Sequence, residues 1–226
     1  MNKLIFAVAL GVLVLAWSGT AAGQAVEASP EHAPNPVDQL LEAAQKGDAA
    51  AVEQLLGKGL DVDSRGNGNL TALIVATASG KPAVVQLLLK KGASLDLKDS
   101  RGDSALHFAV MSGNIDEARL LIDKGANVNI KEEAGLTPLA LAVVSGSIDL
   151  VKLLLDKGAN TEIGDIHGYT VLMAASSRGF IDAVKALLDK GASINAESND
   201  GSTALKLAEK NSRTEIAALL RDKGAH

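Results

Sequence analysis

The stretch LLLDKGAN, residues 153–160, decides the fold, because close variants of it recur along the chain. LLGKGL ends at Leu60, LLLKKGA at Ala93, LLIDKGA at Ala126, ALLDKGA at Ala192 and LLRDKGA at Ala225. The lysine before each glycine falls at 58, 91, 124, 157, 190 and 223, always 33 apart. Leucines followed by lysine and glycine describe a helix end. The lysine faces the negative end of the helix dipole, and the glycine takes the left-handed conformation that reverses the chain. A fixed interval of this size means a stack of one repeated supersecondary unit.

A second pattern precedes each phrase. TALIVATASG (71–80), SALHFAVMSG (104–113), TPLALAVVSG (137–146), TVLMAASSRG (170–179) and TALKLAEKNS (203–212) superimpose on the same interval. Thr71, Ser104, Thr137, Thr170 and Thr203 stand where an N-cap hydroxyl would take up unpaired N–H groups, and Pro138 suits a first helical position. Gly80, Gly113, Gly146 and Gly179 then end a first short helix. Each unit therefore reads as two antiparallel helices. Between units lie LDLKDSRGDS, VNIKEEAGLT, TEIGDIHGYT and INAESNDGST, which suit short hairpin fingers turning at Gly102, Gly135, Gly168 and Gly201. In the first finger the turning position is Asn69, the next best residue for that geometry.

The period, the T-P-L-H-x-A-like openings and the L-L-L-x-x-G-A endings resemble the ankyrin repeat. The resemblance covers about residues 37–226. It implies an all-α solenoid of stacked helix pairs with short β-hairpin fingers. The expected units are an N-terminal cap (37–66), repeats at 67–99, 100–132, 133–165 and 166–198, and a C-terminal cap (199–226). The end units depart from the pattern as caps should. Asp38 stands where a Thr would cap, Ser212 replaces the glycine, and Lys206, Glu209, Lys210, Arg213 and Glu215 take apolar or neutral places. A polar outer face is what a terminal repeat must offer to water.

Ahead of the repeats, MNK gives a short positive start, residues 4–17 are an apolar run, and SGTAAGQA (18–25) supplies small residues. That is the layout of a secretory signal peptide over 1–25, cleaved after Ala22, Gly23 or Ala25. The apolar run is shorter than the ~20 residues of a spanning helix, so removal is expected rather than anchoring. Residues 26–36, VEASPEHAPNP, read as a proline-rich linker. The expected location is the periplasm, or outside the cell. An anchored or exported effector acting on host or envelope components is the alternative.

Composition narrows the function. The net charge of −5 argues against nucleic acid or an anionic membrane surface as the main partner, since both require basic patches. There is no cysteine, so disulfides, thiolate metal sites and a cysteine nucleophile are excluded. DVDSRG (61–66) begins like a calcium loop, but Arg65 takes a ligand position and Ala72 stands where the bidentate Glu belongs. His107 is expected to bond neighbouring backbone. No histidine pair has metal spacing. No catalytic residue, metal or cofactor is expected.

What remains is a surface. The resemblance implies that partners dock on a concave strip made of finger tips and first-helix edges. There Met111, Leu136, Val144, Ile166, His167, Tyr169 and Arg178 form a mixed apolar, aromatic and basic set, the composition of interface anchors. Leu136 and Ile166 could instead pack neighbouring fingers together. A non-enzymatic protein-binding monomer follows, with no membrane attachment once the signal peptide is gone.

Overall fold

The computed structural model describes residues 35–226; the signal-peptide reading and nearly all of the linker reading lie outside the described residues. Six helix pairs follow one another: α1 (Pro36–Lys46) and α2 (Ala49–Gly57), α3 (Ala72–Ala78) and α4 (Pro82–Lys90), α5 (Ala105–Met111) and α6 (Ile115–Asp123), α7 (Pro138–Ser145) and α8 (Ile148–Asp156), α9 (Val171–Arg178) and α10 (Ile181–Asp189), and α11 (Ala204–Lys210) and α12 (Thr214–Asp222). The architecture is all-α, as the repeat predicts. Pro36, read as the last linker residue, instead opens α1, which places Asp38 in the first turn rather than at the cap.

The caps form as the hydroxyls require. Thr71 Oγ1 accepts from Ile74 N–H (3.3 Å), Thr137 from Ala140 (3.2 Å), Thr170 from Met173 (3.4 Å) and Thr203 from Lys206 (3.2 Å). Gly80, Gly113, Gly146 and Gly179 all have positive φ where the first helices end. Ser212, at the same place in the last unit, is also held at φ 57°, in a region that disfavours a side chain.

Helices this short are unstable alone, so packing must supply their stability. The first helices carry alanine at the positions that meet their neighbours, among them Ala72, Ala76, Ala105, Ala109, Ala142, Ala175, Ala204 and Ala208, all buried. Small side chains let these helices approach closely. The second helices, built on Leu, Val and Ile, stand further apart, so the first helices form the shorter arc of the stack. Leu88, Leu121, Leu154, Leu187 and Leu220, one in each of five second helices, are fully buried. They are the leucines of the recurring phrase.

Two hydrogen-bond ladders bind unit to unit. In the first, a side-chain oxygen accepts a backbone N–H from 31 residues on: Asp63 from Ser94 (2.9 Å), Asp96 from Asn127 (2.9 Å), Asn129 from Asn160 (2.8 Å), Glu162 from Ser193 (3.0 Å) and Asn195 from His226 (3.2 Å). In the second, finger backbones join directly. Ser100 N–H donates to Gly68 O (2.8 Å), Glu133 to Arg101 O (3.2 Å), Ile166 to Ala134 O (3.1 Å) and Asn199 to His167 O (3.0 Å). Lys91–Glu53, Lys157–Asp123 and Lys190–Asp156 add surface ion pairs, which solvent screening leaves weak.

The fingers are hairpin-shaped but contain no strand among the described residues. Each closes on one backbone bond, such as Asp99 N–H to Asp103 O (2.9 Å) or Asp165 N–H to Tyr169 O (3.1 Å). The residue after that bond is already the N-cap of the next first helix, which leaves no chain for a longer ladder. Glycine at the turn serves packing as well as φ. A Cβ on Gly102 would lie 2.8 Å from Glu133 N, where the next finger crosses.

Two substitutions test this account by denaturant unfolding. Leu154→Ala is expected to lower stability by about 2–5 kcal/mol, the usual result of emptying a well-packed leucine site. Ser212→Gly is expected to raise it by about 1 kcal/mol, by relieving the left-handed strain.

Candidate functional site

The finger tips and the exposed edges of the first helices form one continuous face, because equivalent positions of successive units lie side by side. Along the first-helix edge the equivalent residues are Ala78, Met111, Val144, Ser177 and Lys210. Met111 is 40% exposed and Val144 is half-buried, so α5 and α7 present adjoining apolar side chains. Arg178, half-buried, ends α9 on the same face.

At the finger tips the equivalent residues are Asn67, Ser100, Glu133, Ile166 and Asn199. Four are polar. Ile166 is 63% exposed, the most exposed large hydrophobic side chain among the described residues. The packing alternative considered for it from sequence does not describe it. Leu136 does fit that alternative: it is half-buried against the core, and its carbonyl faces His107 Nε2 at 3.4 Å. His167 is exposed at the tip beside Ile166.

Tyr169 is anchored rather than free. Its hydroxyl donates to Asp200 Oδ2 at 2.7 Å on the next finger, with Ser202 Oγ at 3.4 Å. The ring thus bridges two fingers and offers only part of its face to a partner. Beside Met111, the Arg101 guanidinium lies 5.8 Å over the Phe108 ring, a contact that the linear spacing of the two residues does not announce.

The finger acids act first on their own loops. Asp99 Oδ1 accepts the N–H groups of Arg101 (2.8 Å) and Asp103 (2.9 Å). Glu132 likewise binds Ala134 (2.9 Å) and Leu136 (2.8 Å), and Asp165 binds His167 (2.8 Å) and Tyr169 (2.9 Å). Asp200 is bound by Ser198 Oγ (2.6 Å) and Ser202 N–H (3.1 Å) as well as by Tyr169. The Ser198 bond foremost, then that of Tyr169, holds its carboxyl well below the usual carboxylate range. For Glu162, burial pushes the pKa up, but bonds from Ser193 and Thr161 outweigh it and the net direction is down. Fingers 160–169 and 193–202 hold Glu162, Asp165, Glu197 and Asp200 without a Lys or Arg. These two fingers supply only acids themselves, but lysines from neighbouring elements reach both, Lys131 Nζ donating to Gly164 O (3.2 Å) and Lys206 Nζ to Gly201 O (2.9 Å).

His107 is fully buried. Its Nδ1 accepts from Ser104 N–H (3.1 Å) and lies 3.0 Å from Ser104 Oγ, which leaves the ring proton on Nε2, aimed at Leu136 O. Burial pushes its pKa down, so the ring stays neutral and ties one repeat to the next. Among the described residues no cluster of three His, Asp or Glu side chains is placed to hold a metal, and no helix is long and apolar enough to cross a membrane. Sequence reasoning missed one unusual residue. Glu117, which is buried, has Val84, Leu150, Ala183 and Ile216 as its counterparts, and that contrast was the available signal.

Removing the Tyr169 hydroxyl tests the finger-to-finger tie. In Tyr169→Phe the Asp200 carboxyl should titrate at higher pH than in the wild type, and in Ser198→Ala higher still, followed by carboxyl carbon NMR. Because the folded pKa is depressed, the stability these bonds contribute is present above the ordinary carboxylate range and is lost as acid protonates Asp200.

A family model described as "Ankyrin repeats (3 copies)" matches residues 40–132, 92–165 and 139–226. No curated protein is matched. Among solved structures, an ankyrin repeat domain from Acinetobacter baumannii AYE is similar at 29% identity and TM-score 0.78, covering 83% of this chain and 98% of that one. A chain of the Bd0816 predatory endopeptidase from Bdellovibrio bacteriovorus in complex with immunity protein Bd3460 is 32% identical at TM-score 0.72, covering 82% and 97%. The human ASB11 ankyrin repeat domain is 29% identical at TM-score 0.69, covering 83% and 84%. This chain belongs to the ankyrin-repeat family, whose stacks serve as protein–protein interaction scaffolds.

Proposed function

We propose that this protein is an exported, non-catalytic scaffold that binds one protein partner on its finger face in the periplasm, holding, protecting or inhibiting it. The observation that carries this is Ile166. Ile166 joins the stack only through its backbone; its 63% exposed side chain, at a tip where sister fingers place polar residues, is suited to an apolar socket on a partner. Met111 and Val144 extend the apolar contact along the first helices. The acids of the same two fingers, Glu162, Asp165, Glu197 and Asp200, outnumber the lysines that reach them, Lys131 and Lys206, and favour a partner surface with basic groups. The complex of Bd0816 endopeptidase with immunity protein Bd3460 supports the inhibitory form of this reading, since a chain within it resembles this one. The leader-like layout of residues 1–25 supports export.

A photo-crosslinking residue at Ile166, in protein expressed in its own cells, is expected to capture a partner that the same residue at Lys185 on the opposite helices does not. Ile166→Asp should then weaken that complex by tenfold or more. Equal capture at both positions overturns the finger-face reading. Export is tested separately: the mature protein is expected to begin after Ala22, Gly23 or Ala25 and, having lost Trp17, the chain's single tryptophan, to show no tryptophan fluorescence.

A further inference from the structure

Glu117 stands third in α6, at a place that is aliphatic in all five other units: Val84, Leu150, Ala183 and Ile216 are buried there and Ala51 is half-buried. It is 4% exposed. Oε2 accepts from Asn114 Nδ2 at 3.0 Å, while Oε1 is shut away from solvent without a hydrogen-bond partner. The nearby helix-end donors are engaged elsewhere: Glu117 N–H goes to Asn114 Oδ1 and Ala118 N–H to Asn114 O.

An ionised carboxylate with an empty acceptor among aliphatic side chains is unfavourable, whereas a neutral acid of that shape is tolerated. Nothing charged compensates it. On α5 the titratable group is His107, neutral and turned to Ser104 and Leu136. On α8 Asp149, Lys152 and Asp156 are exposed, as are Lys90 on α4 and Asp116, Arg119 and Asp123 on α6 itself. Burial therefore dominates, opposed only by the Asn114 bond, and raises the Glu117 pKa to about 7.

We propose that Glu117 is a protonation switch inside the stack: as a neutral acid it packs like its aliphatic counterparts, and as an anion it loosens α6 from α5. Because the folded pKa lies above the unfolded one, the stability that Glu117 contributes to this repeat is greatest in acid. It falls as pH rises from the unfolded pKa to the folded one, and is level beyond. The repeat that loosens is the one that presents Met111 and the Arg101–Phe108 pair, although the switch itself does not depend on any partner.

The test compares the full chain with Glu117→Gln and Glu117→Val by amide hydrogen exchange in α6. Referenced to either variant at each pH, the wild-type opening constant is expected to rise about twentyfold between about pH 5.5 and 7.5, as linkage requires for this shift. The Glu117 carboxyl carbon should titrate with a midpoint near neutrality in the wild type. A midpoint in the ordinary carboxylate range, or the same pH dependence in the variants, overturns the proposal. The valine variant repeats what Val84 already does in its own unit, so it serves as reference if the glutamine variant folds poorly.

Discussion

No helix pair in this protein can cover its own apolar face. Helices of seven to eleven residues have too little area for that, so the central leucine of the recurring phrase, from Leu88 to Leu220, is buried in a core that the units share. This constraint dictates the rest. It demands alanine where first helices meet, aliphatic residues where second helices fill the wider gap, and polar end units where the stack meets water. It also separates scaffold from surface. Residues that return every 33 positions serve the stack, and those that do not are free to serve a partner.

Much of this was legible because the forces involved are local. N-cap threonines, left-handed glycines and helix-end lysines act within a few residues of themselves, and they read correctly. Asn69 was expected at a turning position and has φ 57°. The rest depended on distances that the linear order does not carry. Leu136 and Ile166 looked alike as exposed finger hydrophobics, yet Leu136 leans on the core and Ile166 stands out at the tip. Tyr169 looked like a free aromatic anchor, but its hydroxyl reaches an acid 31 residues away. Glu117 was not singled out, and its burial is seen once α6 is seated.

The finger acids join the two roles. Each of Asp99, Glu132 and Asp165 holds its loop by two N–H groups, so the tips are rigid before any partner arrives. A face ordered in advance loses little conformational freedom on binding, and that saving appears as affinity.

The two ladders between units connect residues 31 and 32 apart, nearly regardless of which side chains stand between them. They fix the spacing between neighbouring units. Inserting or deleting a few residues between the two partners of a rung would set that donor opposite the wrong acceptor and break the rungs that span the change. Adding or removing a whole repeat leaves each remaining donor facing an equivalent acceptor. The length of the protein, and with it the reach of its finger face, can therefore change in steps of one repeat without redesign of the core.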